Sequence, residues 1–201
     1  MAGAAQEGVF LNLPYDTSLV DLFLAYIAGL TTLGLTPRVT LEIGGGARRL
    51  DRMFQLISEC RYSVHELSPL AGPGRRQASP RLNMAFELGL VVALDHARPG
   101  SHTWFACAAR RSALNRSLSD LAGTDAYFHG GRPAGLFREL GSAFVRGPRK
   151  ATVQEMNRVF AALRKALPGI KRRTGARSPF SASVFDELRV LARTLASRKR
   201  G

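Results

Sequence analysis

Leu56-Ile57-Ser58-Glu59-Cys60-Arg61-Tyr62-Ser63-Val64-His65-Glu66-Leu67-Ser68, then a Pro/Gly/Arg loop, then Asn83-Met84-Ala85-Phe86-Glu87-Leu88-Gly89-Leu90-Val91-Val92-Ala93-Leu94, is the part of this 201-residue chain that decides its fold. Arg61 to Leu67 is short and holds the β-formers Tyr62 and Val64, so it predicts a strand leaving a helix that ends near Cys60. Asn83 is a good helix N-cap, and the Ala/Leu/Met-rich run behind it is too long for a strand. Glu87 then falls in the first helical turn, where the helix dipole favours a carboxylate. In an open parallel sheet the strand ends and the following helix starts share one edge, the edge at which ligands bind. Glu66 and Glu87 are both expected on that edge.

The pattern of strand, acid-Leu-Ser, loop, Asn-x-x-Phe-Glu-Leu-Gly and apolar helix resembles the superfamily of TIR-like domains and nucleoside 2-deoxyribosyltransferases, over roughly residues 9 to 107. The resemblance implies that Glu87 is the catalytic carboxylate at a ribosyl carbon, with Asn83, Phe86, Leu88 and Gly89 matching its motif neighbours. It implies that Glu66, followed by Leu67 and Ser68, handles the base, with Glu where the family has Asp. It further implies a nucleotide or nucleoside substrate, NAD being the first to try, and a setting such as bacterial antiviral defence or nucleotide signalling. No cofactor is implied.

Upstream, Val9 to Leu13 is an apolar strand ended by Pro14, which places Asn12, Tyr15 and Asp16 at its carboxyl end, as candidate pocket residues. Asp16 or Ser18 could equally cap the next helix, Leu19 to Leu33, which is apolar along Leu19, Phe23, Ile27 and Leu30. Pro37 to Ile43 alternates as a second strand, followed by Gly44-Gly45-Gly46 and a helix from Arg48 to Cys60. Such a glycine triplet permits close backbone approach to a phosphate or ribose, or is simply a flexible turn. Ser68 joins it as a candidate ligand contact. Arg75, Arg76 and Arg81, in the loop before Asn83, either clamp an anion or are solvated.

Downstream, His102 to Ala106 predicts a fourth strand and Tyr127 to His129 a fifth. Repeated β-α units of this kind read as a flavodoxin-like open parallel sheet of four to five strands with helices on both faces. The expected organisation is an α/β domain over residues 1–147 and a basic helical extension over 148–201 packed on it. Helices are expected from Ala134 to Arg146, Val153 to Leu167 and Val184 to Leu195, with Lys171 to Arg177 as a basic linker.

Charge divides the chain sharply. Residues 1–97 carry 8 Lys+Arg and 9 Asp+Glu, whereas residues 98–201 carry 21 and 6, so the whole +14 excess lies in the second half. That half is a candidate nucleic-acid surface, or a docking face for an acidic partner. Cys60 and Cys107 have no metal spacing, and His65, His96, His102 and His129 share no i, i+4 pattern, so no metal site is expected. His65 should face away from Glu66, into the core. No serine sits in a nucleophile elbow. With neither a signal-peptide pattern nor a span-length apolar run, the expected setting is cytoplasmic, without membrane partners. The expected activity is cleavage or transfer at an N-glycosidic bond. The alternatives are a non-catalytic nucleotide sensor that assembles with itself or a partner protein, and a nucleic-acid binder.

Overall fold

A computed structural model describes residues 8–43, 49–68, 82–111 and 125–198. Its centre is a five-stranded sheet of β1 (Gly8–Asn12), β2 (Thr36–Val39), β3 (Tyr62–Glu66), β4 (Thr103–Ala108) and β5 (Ala126–Phe128). The order is β2-β1-β3-β4-β5 and every pairing is parallel. This is the flavodoxin-like order, in which the chain reverses direction across the sheet between β1 and β3. β1 is buried along its whole length, as a central parallel strand must be.

Strand alternation divides the side chains between two layers. Val9, Leu11, Val64 and Cys107 face a large core built on α1 (Val20–Thr32), while Phe10 faces a smaller one with Met53, Ile57 and Val91 from α2 (Arg49–Ser58) and α3 (Leu82–Ala97). α1 is apolar on nearly every side because it is enclosed on nearly every side. α4 (Pro133–Ala143), α5 (Val153–Thr174) and α6 (Ala182–Ser197) all pack against it. The two C-terminal helices therefore share the sheet's main core through Met156, Phe160, Leu163, Val184, Phe185 and Leu188.

Three local readings change. The second strand stops at Val39, and Thr40–Glu42 forms a 3-10 turn, because the Glu42 carboxylate takes the Val39 N–H at 2.8 Å and pairs with Arg38 at 2.8 Å. α3 already includes Asn83, so this residue is not the cap, and Glu87 lies in the second turn rather than the first. α5 runs through Lys171–Arg173 to Thr174, past an internal Pro168, where a linker was expected. Its start is fixed by Thr152 and Glu155, each accepting the other's backbone N–H at 3.1 and 2.7 Å, and it ends on Gly175 at φ 67°. No described helix is long and apolar enough to cross a membrane.

Candidate functional site

At the carboxyl end of β1 the sheet opens into a cavity of about 150 Å³. Three segments wall it: Asn12 to Tyr15 leaving β1, Thr40 in the turn after β2, and Asn83, Met84 and Glu87 from the first two turns of α3. Asn83 and Glu87 are one helical turn apart and so share a face. Since α3 follows β3, the cavity sits where the chain changes direction across the sheet, the place at which folds of this order bind ligands. Glu87 is half-buried and is the only charged residue among the described ones lining the cavity.

Asn12 is held most firmly. It is 2% exposed, and its Nδ2 donates to the Met84 carbonyl at 3.1 Å and to His65 Nδ1 at 2.9 Å, across the register pair Asn12–His65. Its Oδ1 is buried without a hydrogen-bond partner among the described residues. Behind it runs a polar chain on the same face of the sheet. His65 Nε2 meets Ser63 Oγ at 2.9 Å, Ser63 Oγ meets His102 Nε2 at 3.0 Å, and His102 Nδ1 meets the Cys60 carbonyl at 2.9 Å. Burial disfavours the charged form of both rings: it lowers His65 to about 3, helped by nearby His102, and it lowers His102 as well. On the opposite wall the Tyr15 hydroxyl bonds Thr40 Oγ1 at 2.8 Å, and the Tyr15 ring lies 5.6 Å from that of Phe180.

Glu66 is elsewhere. It points to the α1 side of the sheet, 1% exposed, and accepts from Tyr26 Oη at 2.6 Å, His129 Nε2 at 3.0 Å and the Ser68 N–H at 3.0 Å. Burial alone would raise its pKa, but the His129, Ser68 and Tyr26 donors outweigh burial and lower it. Burial, with Cys107 and Glu66 nearby, drives the Tyr26 hydroxyl well above its ordinary value. The expected meeting of Glu66 and Glu87 in one pocket is therefore not found among the described residues. Alternation along β3 sends Glu66 one way and His65 the other.

Of the remaining expected contacts, Asn12, Tyr15 and Asn83 line the cavity. Asp16, Ser68 and Phe86 do not. Asp16 caps the 3-10 turn Thr17–Leu19, accepting from the Ser18 N–H at 3.0 Å. Ser68 Oγ accepts the Ala109 N–H at 2.6 Å and ties the end of β3 to that of β4. Phe86 is 55% exposed on α3. Gly44, Gly45 and Gly46 lie outside the described residues, as do Arg75, Arg76 and Arg81.

No protein-family model matches the chain, and no curated protein matches it. Among solved structures, a 2-desoxiribosyltransferase from Leishmania mexicana is similar at 18% identity with a TM-score of 0.39, over 52% of this chain and 65% of that one. The chain thus spans just under two thirds of that structure's length. The fold assignment rests on the strand order itself.

Thr40, Met84 and the Ser63–His65–His102 chain were not anticipated as parts of the site. Thr40 is hidden by a strand pattern that runs four residues past the real end of β2 at Val39. Met84 contributes a backbone carbonyl, which its side chain does not announce. His65 was correctly read as buried, but its hydrogen bond to a cavity residue depends on the register between β1 and β3. Among the described residues no group of three His, Cys, Asp or Glu could hold a metal ion.

Proposed function

We propose that the cavity binds the sugar of a nucleoside or nucleotide and that the protein cleaves or transfers at the N-glycosidic bond, with Glu87 as the carboxylate facing the ribosyl carbon. One observation carries this reading. Glu87 shares a cavity with Asn12, Tyr15 and Asn83 at the sheet's switch point, where a ligand is expected on topological grounds alone. Departure of a base leaves positive charge on the ribosyl ring, and a carboxylate at that carbon stabilises it or captures it as a covalent intermediate. The described cavity is smaller than the roughly 300–1,000 Å³ of pockets that enclose a whole drug-sized ligand, which suits a sugar better than a complete dinucleotide.

In this mechanism Glu66 does not touch substrate. Its acceptor sites are occupied by Tyr26, His129 and Ser68, and its role is to fix the end of β3. The test is chromatography of free base after incubation with nucleosides and NAD, at high protein concentration in case assembly is required. Wild type should release base, and Glu87→Gln should lower the rate at least about 100-fold while keeping its circular dichroism. Equal rates would remove Glu87 from the chemistry.

A second reading concerns the basic half. Arg158, Lys165 and Arg172 are exposed at seven-residue spacing on α5, and no ion pair among the described residues takes any of them. They form one stripe with a charge about every 10 Å, which suits sequence-independent contact with a polyanion. Retention on heparin should fall steeply with salt, and a triple Arg158→Gln, Lys165→Gln, Arg172→Gln variant should elute clearly earlier. Unchanged elution would dismiss the stripe.

A further inference from the structure

Apolar burial holds α3 from Leu88 onward and does little for its start. Leu88 is 2% exposed and Val91 is fully buried, whereas from Asn83 to Glu87 no side chain is buried and Phe86 points largely to solvent. A helix start without packing frays, yet it is from this stretch that Glu87 lines the cavity. A tie to the sheet comes from the end of β1. Asn12 Nδ2 donates to the Met84 carbonyl at 3.1 Å, three residues before Glu87.

Asn12 is itself fixed from behind. It sits on a strand paired on both sides and is too enclosed to serve as a ligand contact. The Met84 carbonyl can only accept, so the Asn12 atom facing it is the amide nitrogen, and the second amide hydrogen goes to His65 Nδ1 at 2.9 Å. Nδ1 is then unprotonated, and the His65 ring proton on Nε2 goes to Ser63 Oγ. The Ser63 hydroxyl donates to His102 Nε2, and His102 Nδ1–H ends on the Cys60 carbonyl. With one ring proton on each histidine, every donor in the row has an acceptor. A flipped amide would set oxygen against the Met84 carbonyl oxygen.

Resting on the glycosidic reading above for what Glu87 does, we propose that Asn12 is a positioning residue for Glu87. Oriented by His65, Ser63 and His102, it holds the first turn of α3 against the end of β1, so that the carboxylate meets the ribosyl carbon. A displacement of about 1 Å at a reacting group costs on the order of 100-fold in rate, so a loose helix start lowers turnover without altering what the cavity binds.

Hydrogen exchange and steady-state base release test this on the full chain, in Asn12→Ala, His65→Leu and His65→Asn. The last keeps an acceptor, Oδ1, where Nδ1 stood. In the first two, the amides of Phe86, Glu87 and Leu88 should exchange faster while those of α1 keep the wild-type rate, and kcat should fall about 10–100-fold with KM little changed. His65→Asn should stay near wild type in both measurements. Wild-type exchange at the start of α3 in Asn12→Ala overturns the proposal, as do a KM that rises at constant kcat, exchange that quickens equally in α1, or His65→Asn as impaired as His65→Leu. Should Asn12→Ala not fold, the two His65 variants decide. A wild type that releases no base defeats the glycosidic reading, and the exchange comparison then settles by itself whether Asn12 and His65 hold the helix start.

Discussion

Glu66 carries its charge with three donors around it, Tyr26, His129 and the Ser68 N–H, and almost no water. Removing the charge leaves those donors facing a poorer acceptor, and Glu66→Gln should cost roughly 2–4 kcal/mol, read as a lower urea midpoint at constant slope. The sign of the pH dependence follows from its lowered folded pKa. The stabilisation is fully present above the unfolded carboxylate value of about 4.3 and is lost as pH falls through the lower folded value. Wild type should therefore lose stability on acidification below that range, and Glu66→Gln should lose less of it. The sequence showed that both Glu66 and Glu87 lie near the functional edge. It did not show that they face opposite layers, because that depends on where β3 begins and on Asn83 lying inside α3 rather than ahead of it.

At the scale of the elements, α4 meets the loop after β5 with no room to spare. A Cβ on Gly135 would run into the His129 carbonyl oxygen and lie 2.8 Å from the carbonyl carbon, both of them backbone atoms. Gly135→Ala should therefore displace His129 from Glu66 and cost at least about 1–3 kcal/mol, despite the higher helix propensity of alanine. A melting curve equal to wild type would show that the helix start shifts freely. Gly135 was passed over in the sequence because an isolated glycine near a helix start has several ordinary explanations. The strands were legible for the opposite reason: short apolar runs ended by Pro14 or followed by helical periodicity leave few alternatives. The 3-10 turn after Val39 depends on one side chain, Glu42, turning back on its own backbone, and alternation carries no sign of it.

For the whole molecule, the expected 148–201 extension shares one core with α1. Met156, Val159, Phe160, Leu163, Ile170, Val184, Phe185 and Leu188 are all buried in the common core. At about 1.5–3 kcal/mol each their burial amounts to roughly 12–24 kcal/mol, at least as large as the net stability of a typical domain, about 5–15 kcal/mol. A chain ending at residue 150 should fail to unfold cooperatively in urea and should aggregate through the uncovered flank of α1. A soluble, cooperative fragment would show that the first part folds by itself. The uniformly apolar α1 sequence already held this information, since a helix without a polar face needs covering all round.

The contact of Phe180 with both Tyr15 and Phe23 gives that arrangement a reach beyond stability. A ring from the link joining the last two helices packs on the Tyr15 ring that lines the cavity. A tilt of the hairpin formed by α5 and α6 would carry Phe180 and with it disturb Tyr15, so a residue 91 positions beyond Gly89 belongs to any search for what tunes the site.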